Sequence, residues 1–500
     1  MMTKFAKMFE KTLIKGHNKA NLKTFLPYLC ILKFKTVTLI KSISGIRGTI
    51  GGKPGDGLSP LDIVKFTSAY ATWLKENNNS KNLKVLIGRD ARISGDMVSR
   101  TVAGTLMGMG IDVIDAGLST TPTVEIGVTE LKAHGGIILT ASHNPKQWNA
   151  LKLLNSKGEF ISEADGQRIL TLAEEQNFNY SEVGQVGTYN INVDLLSIHI
   201  QQILKLPYVN IKAIKEKDFS IVVDAVNSSG AFAVPALLRA LGVTNIHVIN
   251  AEANGHFAHN PEPLPEHLTE LSATILKKKA HLGISVDPDV DRLALVSEDG
   301  EMFGEEYTLV AVADYVLKHH PKGNTVSNLS STRALRDVTE KQGGSYSASA
   351  VGEVNVVRMM KETNAIIGGE GNGGIILPEL HYGRDALVGI AIFLTHLANY
   401  GKPVSMLRRS YPNYFISKNK IELTPSINVD KVLDSIKLKY AKQPINLIDG
   451  VKIEFDNEWV HLRKSNTEPI IRIYSESDSM STADSLANKI INDIKEIIKN

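Results

Sequence analysis

Short apolar runs alternate with stretches of helical periodicity along this chain, and three of the alternations share one form. The first reads Lys84-Val-Leu-Ile-Gly-Arg-Asp90, a Ser-Gly turn, a helical segment to Met107, then Gly110-Ile-Asp-Val-Ile-Asp115. The second reads Ser220-Ile-Val-Val-Asp-Ala-Val-Asn-Ser-Ser-Gly230, a helical segment through Leu241, then Gly242-Val-Thr-Asn-Ile-His-Val-Ile249. The third reads Asn324-Thr-Val-Ser-Asn-Leu-Ser-Ser331, a helical segment through Lys341, then Gly343-Gly-Ser-Tyr-Ser-Ala-Ser349. Each is a β-branched strand, a polar loop, a helix, a glycine stop and a second strand. Strands alternating with helices in this way imply parallel α/β sheets, and the wide spacing implies three similar α/β domains rather than a solenoid.

The last ninety residues differ. Strands at 451–455, 459–463 and 470–475 precede a closing helix at 482–499, whose Leu486, Ile490, Ile491 and Ile494 recur at helical spacing. This predicts a smaller α+β domain. The expected division is a basic leader at 1–37, α/β domains at 38–190, 191–303 and 304–410, and the α+β domain at 411–500.

Composition narrows the class. At 500 residues the chain exceeds what one core supports, and 43% hydrophobic with 22% charged residues is a globular balance. The single cysteine, Cys30, excludes a disulfide framework and fits a reducing, cytoplasmic compartment. The net charge of +3 hides an asymmetry: residues 1–37 carry eight Lys against one Glu, leaving the rest mildly acidic. Neither a nucleic-acid groove nor an anionic membrane surface is expected. The leader lacks a small-residue cleavage site, so it reads as a disordered tail or an upstream extension rather than an export signal. No apolar run approaches the roughly 18 residues that a membrane helix requires.

Four loops carry chemistry. In Thr140-Ala-Ser-His-Asn-Pro145 a buried strand delivers Ser142 to a polar loop, where ligands of α/β sheets gather; an Asn-Pro turn with a capping serine is the plain alternative. In Asp287-Pro-Asp-Val-Asp-Arg292 the carboxylates at i, i+2 and i+4 of an extended segment would share one side. They would repel unless a cation lay between them, and oxygen ligands suit Mg²⁺. An EF-hand is excluded because Arg292 stands where its glycine is required; a solvated acidic turn is the alternative. Gly368-Gly-Glu-Gly-Asn-Gly-Gly374 formally contains G-x-G-x-x-G but runs on into a strand, which excludes a nicotinamide fingerprint. It suits close approach to sugar hydroxyls, or is a hairpin turn. Arg463-Lys-Ser-Asn-Thr-Glu-Pro469 offers a guanidinium fork and three further polar side chains, an anion anchor or a polar hairpin. A fifth element, Ser44-Gly-Ile-Arg-Gly48, says little alone.

These five motifs in this order resemble the α-D-phosphohexomutase family, which includes phosphoglucomutases, phosphomannomutases and phosphoglucosamine mutases. The resemblance runs from about Thr38 to the C-terminus. It implies three similar α/β domains with mixed sheets and a smaller C-terminal α+β domain around a central cleft, each supplying one loop. It implies that Ser142 is phosphorylated and that Asp287, Asp289 and Asp291, with an oxygen on Ser142, hold Mg²⁺. Arg47, His143 and Lys152 match positions beside the phosphoserine, and Arg292 follows the metal loop. Glu370 and Asn372 match the sugar-reading loop; Arg463, Ser465, Asn466 and Thr467 match the loop gripping the non-reacting phosphate. Lys152 is a candidate general acid or base, its pKa lowered by neighbouring cations, or else an electrostatic clamp. Two positions depart from the pattern: many relatives end the sugar loop in Ser-Gly-His where this chain has Asn372-Gly-Gly374, and Ala150 stands where glycine is common.

The implied reaction converts hexose 6-phosphate to hexose 1-phosphate through a hexose 1,6-bisphosphate, with glucosamine 6-phosphate the favoured sugar. Phosphoglucomutase or phosphomannomutase activity is the alternative within the family. A non-catalytic sugar-phosphate binder and a phosphatase are alternatives outside it. The expected partner is a small-molecule sugar phosphate, with no nucleic acid or membrane, for a monomer or homodimer. Pro412 and Asn413 mark a hinge-like link before the last domain.

Overall fold

The computed structural model describes residues 37–499 apart from 43, 44, 81, 193, 425, 426 and 465–469, so the leader and the Ser465–Thr467 anchor residues lie outside the described residues. From Leu39 onward the chain forms four sheets, and three of them repeat one plan. In the first, Lys84–Arg89 is flanked by parallel Asp112–Leu118 and Gly135–Leu139, and Trp148–Leu154 returns antiparallel beside Gly135–Leu139. In the second, Ser220–Asp224 is flanked by Asn245–Ile249 and Leu282–Val286, and Leu293–Ser297 returns antiparallel. In the third, Asn324–Asn328 is flanked by Tyr346–Ser349 and Ala365–Glu370, and Gly374–Ile376 returns antiparallel. The sheets are therefore mixed, each parallel trio closed by one hairpin. Strands Ile40–Ser42, Gly45–Thr49 and Tyr189–Ile191 widen the first sheet to seven.

This shared plan has a direct consequence for the site. The loop at 140–147, the loop at 287–292 and the loop at 371–373 all join the third parallel strand to its antiparallel return. The three chemistry-bearing loops thus occupy the same topological position in three repeats, at the carboxyl end of a buried strand, where α/β folds bind ligands. The strands before the first two loops, Gly135–Leu139 and Leu282–Val286, are buried at every position, which is why they read as short apolar runs, the second interrupted only by Ser285.

The fourth sheet is antiparallel, ordered Phe415–Glu422, Ile470–Ser477, Trp459–Lys464, Val451–Glu454 and Ile445–Asn446. Its edge strand Phe415–Glu422 has no counterpart in the sequence expectation. An edge strand half open to solvent alternates Lys, Asn and Glu with few apolar residues, so hydrophobic pattern does not reveal it.

The first and fourth domains have separate cores, drawn from residues 46–173 and 423–494. The second and third share one, because the helix Ala386–Tyr400 is buried along nearly its whole length. It packs against Leu195–Lys205 and Gly230–Ala240 of one domain and Glu305–His319 of the other. Asp385 caps its start, accepting from the Leu387 and Val388 amides at 2.8 and 3.3 Å.

The link to the last domain is held by Tyr307. Its hydroxyl donates to the Pro412 carbonyl and accepts from the Tyr414 amide, each at 2.7 Å, while the Arg408 guanidinium lies over its ring. Tyr307→Phe strips both backbone groups of their partner and should cost roughly 1–3 kcal/mol. Scanning calorimetry reads this as a lowered transition; an unchanged melting temperature would show that the link does not depend on the hydroxyl.

Candidate active site

Ser142 lies in a constrained turn. Its φ of +48° puts a non-glycine residue in the left-handed region, a conformation that persists only where the surroundings impose it. Here the imposing groups are Asp90, Arg92 and Thr140. The Thr140 hydroxyl donates to Asp90 Oδ2 (2.7 Å) and accepts from the Ser142 amide (2.9 Å). Arg92, with no exposed side-chain surface, donates to Asp90 Oδ2 (3.0 Å) and to the carbonyls of Ser142, Asn144, Pro145 and Trp148. A single buried guanidinium therefore gathers the loop's carbonyls, and Asp90 balances its charge.

The Ser142 hydroxyl donates to Asp287 Oδ2 at 2.6 Å and lies 3.3 Å from His143 Nδ1. Asp287, Asp289 and Asp291 offer carboxylate oxygens that all lie within 4.8 Å of one another, and all three are buried. They do not converge through alternation along an extended strand, as the spacing had implied. Residues 287–292 form a turn in which Val290 has φ +63°, and Asp287 Oδ1 accepts from the Asp291 and Arg292 amides, closing the loop around its first carboxylate.

Cations from other domains compensate the cluster. Lys152 Nζ sits 2.7 Å from Asp289 Oδ2 and 3.4 Å from Asp291 Oδ2, and Arg384 Nη2 donates to Asp291 Oδ2 at 2.7 Å. The Thr121 hydroxyl donates to Asp289 Oδ2 at 2.6 Å. Burial raises the Asp287 carboxyl well above the usual range, and Asp291 and Asp289 add to this. Burial also pushes Asp289 up, but Lys152 and Thr121 outweigh it and hold that carboxyl below the usual range. The expected lowering of Lys152 by neighbouring cations is not what the arrangement produces. Burial acts downward, yet Asp289 and Asp291 raise its pKa overall. His143 is driven the other way, to about 2, by burial and then by Arg292, so its imidazole is neutral.

Two buried carboxylate oxygens, Asp289 Oδ1 and Asp291 Oδ1, have no hydrogen-bond donor. Unpartnered buried carboxylate oxygens are costly, and an all-oxygen set of this kind fits a hard divalent cation.

The remaining site residues fall around this centre. Arg47, on Gly45–Thr49, is the strand partner of Ala150. Its Nε is buried without an acceptor, and its pKa is lowered by burial and then by Arg472 of the last sheet. Arg292 Nη1 donates to Glu262 at 3.4 Å. Glu370 is tied to its surroundings: Oε1 accepts from Asn328 and the Gly352 amide, and Oε2 from Arg384 at 3.2 Å and Asn372 at 3.5 Å. Arg463 pairs with Asp449 at 3.0 Å, and Asp449 also accepts from the Val351 amide of the third domain.

Sequence reasoning missed Arg92, Thr121 and Arg384. Arg92 stands two residues beyond the strand-end Gly-Arg-Asp90, and Arg384 stands beside the capping Asp385, but nothing in the local pattern links either to a distant loop. It also missed a buried group at the junction of three domains. His381 lies 3.2 Å from Glu125 and 3.4 Å from Asp385, and His199 donates to Asp385 at 2.9 Å.

Family profiles match four consecutive regions: "Phosphoglucomutase/phosphomannomutase, alpha/beta/alpha domain I" at 39–180, domain II at 197–300, domain III at 304–414, and the C-terminal domain at 423–493. A phosphoglucomutase/phosphomannomutase of Thermococcus kodakarensis is 34% identical over 87% of this chain and 95% of its own. A phosphoglucosamine/phosphogalactosamine mutase of Sulfurisphaera tokodaii is 31% identical over 91% of this chain and 98% of its own. A phosphoglucomutase/phosphomannomutase family structure from Burkholderia thailandensis shares the fold with a TM-score of 0.79 and 23% identity, covering 94% of this chain and 98% of its own. The chain belongs to the phosphoglucomutase/phosphomannomutase family, the α-D-phosphohexomutases, and its function is that of a phosphohexomutase. Among the described residues no helix is long and apolar enough to cross a membrane.

Two outcomes follow from these networks. Arg92→Ala leaves Asp90 buried without its cation and should cost about 3 kcal/mol or more. Urea unfolding checks this, with faster proteolysis near residues 140–148 as the accompanying sign. The His381 group sets a pH dependence. Burial pushes Glu125 up to about 8, while Asp385 and Glu125 outweigh burial and push His381 up to about 10. Both groups hold a proton more tightly folded than unfolded, so their stabilisation is full at low pH and is lost as pH rises. Melting temperature should fall from about pH 4.5 to 10, Glu125 losing its share between about 4.5 and 8 and His381 its share between about 6.5 and 10, the latter disappearing in His381→Gln.

Proposed function

We propose that this phosphohexomutase transfers a phosphoryl group between Ser142 and its sugar, interconverting hexose 6-phosphate and hexose 1-phosphate, with glucosamine 6-phosphate as preferred substrate. The observation carrying this reading is the Ser142 hydroxyl 2.6 Å from a buried carboxylate, beside two donorless oxygens of the same cluster. Asp287, Asp289 and Asp291 would hold Mg²⁺ together with an oxygen on Ser142, and such a cation neutralises charge on the transferring phosphoryl oxygens.

The chain's own residues supply the rest. Arg92 and Asp90 fix the loop, so that the phosphoserine meets the sugar in one orientation. The P–Oγ bond breaks as a P–O bond to the free sugar hydroxyl forms, giving a hexose 1,6-bisphosphate. The sugar hydroxyl gives up one proton and the departing Oγ gains one, so Ser142 ends as the free hydroxyl that donates to Asp287. The bisphosphate turns within the cleft and Ser142 recovers the other phosphoryl group. Lys152, facing two carboxylates, serves as an electrostatic clamp rather than a proton carrier. Arg463, with Ser465, Asn466 and Thr467, would grip the phosphate that does not react, while Glu370 and Asn372 meet the sugar hydroxyls. Preference for the amino sugar is supported by the Glu370-Gly-Asn-Gly-Gly374 loop and by the Sulfurisphaera tokodaii relative. The Thermococcus kodakarensis relative supports the neutral sugars as the alternative.

Peptide mapping of the purified protein, before and after incubation with a hexose 1,6-bisphosphate and Mg²⁺, should place one phosphoryl group on Ser142. Ser142→Ala should reduce turnover by on the order of 10³-fold or more. A serine never modified, or an active Ser142→Ala, would sink the covalent route. Glucosamine 6-phosphate ranking behind the glucose and mannose phosphates would sink the sugar assignment alone.

A further inference from the structure

The sugar loop ends at Gly374, where many members of the family carry histidine, and the structure shows what stands in that space. The backbone of Gly374 is not among those with positive φ, so its conformation does not require glycine. A neighbouring side chain does. A Cβ built there would fall well inside contact distance of Arg384 Cδ, 3.0 Å from Arg384 Cγ and 3.0 Å from Asn372 Oδ1.

Arg384 cannot swing clear. Its Nε donates to Glu353 (3.0 Å), Nη1 to Glu370 (3.2 Å) and Nη2 to Asp291 (2.7 Å). Its backbone amide donates to Glu353 at 2.9 Å, and its backbone bridges Ile376 on the strand that Gly374 begins. The methylene stem thus fills the volume beside position 374, and the guanidinium is delivered between the sugar loop and the carboxylate cluster.

This fixes how Glu370 can meet a ligand. A carboxylate offers about four acceptor positions. In Glu370 two on Oε1 are taken by Asn328 and the Gly352 amide, and one on Oε2 by Arg384. Only the position held by the long 3.5 Å contact from Asn372 is cheaply released. A sugar is therefore held here only if its ring sets a donor at that one place.

Building on the phosphohexomutase reading of this site, we propose that Gly374 and Arg384 act as a pair, in which glycine admits arginine and arginine is the positioning residue that sets which sugar Glu370 accepts. The test is a cycle of wild type, Gly374→His, Arg384→Gly and the double variant. It is read by melting temperature without substrate, and by kcat and KM on glucosamine 6-phosphate and glucose 6-phosphate. Gly374→His should lower the melting temperature with Arg384 present and much less without it. Arg384→Gly should change the ratio of kcat/KM between the two sugars at least tenfold, mainly through KM, and Arg384→Lys, which keeps charge but loses the three-way fork, should not restore it. Additive melting shifts would overturn the pairing, and a constant sugar ratio in both Arg384 variants would overturn the role in selectivity. Should Arg384→Gly not fold, Arg384→Lys and Gly374→His carry the same two readouts. A wild type that turns over neither sugar nor mannose 6-phosphate would instead refute the functional reading, and the selectivity role would fall with it.

Discussion

Three carboxylates buried within contact of one another impose the constraint on which this molecule's organisation rests. Taken alone, Asp287, Asp289 and Asp291 would cost several kcal/mol each in unrelieved desolvation and repulsion. The loop that carries them relieves only Asp287, through the Asp291 and Arg292 amides. Relief comes from Lys152 and Thr121 of the first domain and Arg384 of the third. The second domain's most charged feature is tolerable only because its neighbours are in place, so the site and the packing of domains are one electrostatic problem.

The repeated topology makes that solution available. Because the three loops leave their sheets at equivalent hairpins, equivalent positions can be filled independently: a hydroxyl in one, carboxylates in the next, a glycine-rich carboxylate loop in the third. For the aspartate cluster, charge complementarity runs between repeats, whereas Arg92 and Asp90 match within one. The core follows a different division. The second and third domains are fused through the helix Ala386–Tyr400, the first packs its helix Thr121–Glu130 on Leu195 and Ile198 of the second in a small apolar cluster, and the last keeps its own core.

What the chain disclosed before its fold was known follows the same logic. Strands buried on both faces, such as Gly135–Leu139 and Leu282–Val286, announce themselves as apolar runs, and the loops after them are legible because several polar residues crowd into a few positions. The edge strand Phe415–Glu422 is hidden because one face and one edge meet water. The shape of the aspartate turn is hidden because left-handed Val290 carries no compositional mark. Arg92 and Arg384 are single cations whose partners are remote in sequence, and the field on Lys152 depends on carboxylates 137 and 139 residues away. Long-range pairing of lone charges is the part that local pattern cannot express.

The restraint on Ser142 differs in origin from the compensation of the aspartates. Asp90, Arg92, Thr140 and the carbonyls they organise all lie between residues 90 and 148, in the domain with its own core. Synthesis therefore supplies every group of the Ser142 turn before the aspartates have been translated. The carboxylate cluster, by contrast, follows Lys152 and Thr121 but precedes Arg384, so one of its cations is still to come. Synthesis from the amino end thus gives the two halves of one active site opposite fates, the first complete early and the second dependent on sequence still to come.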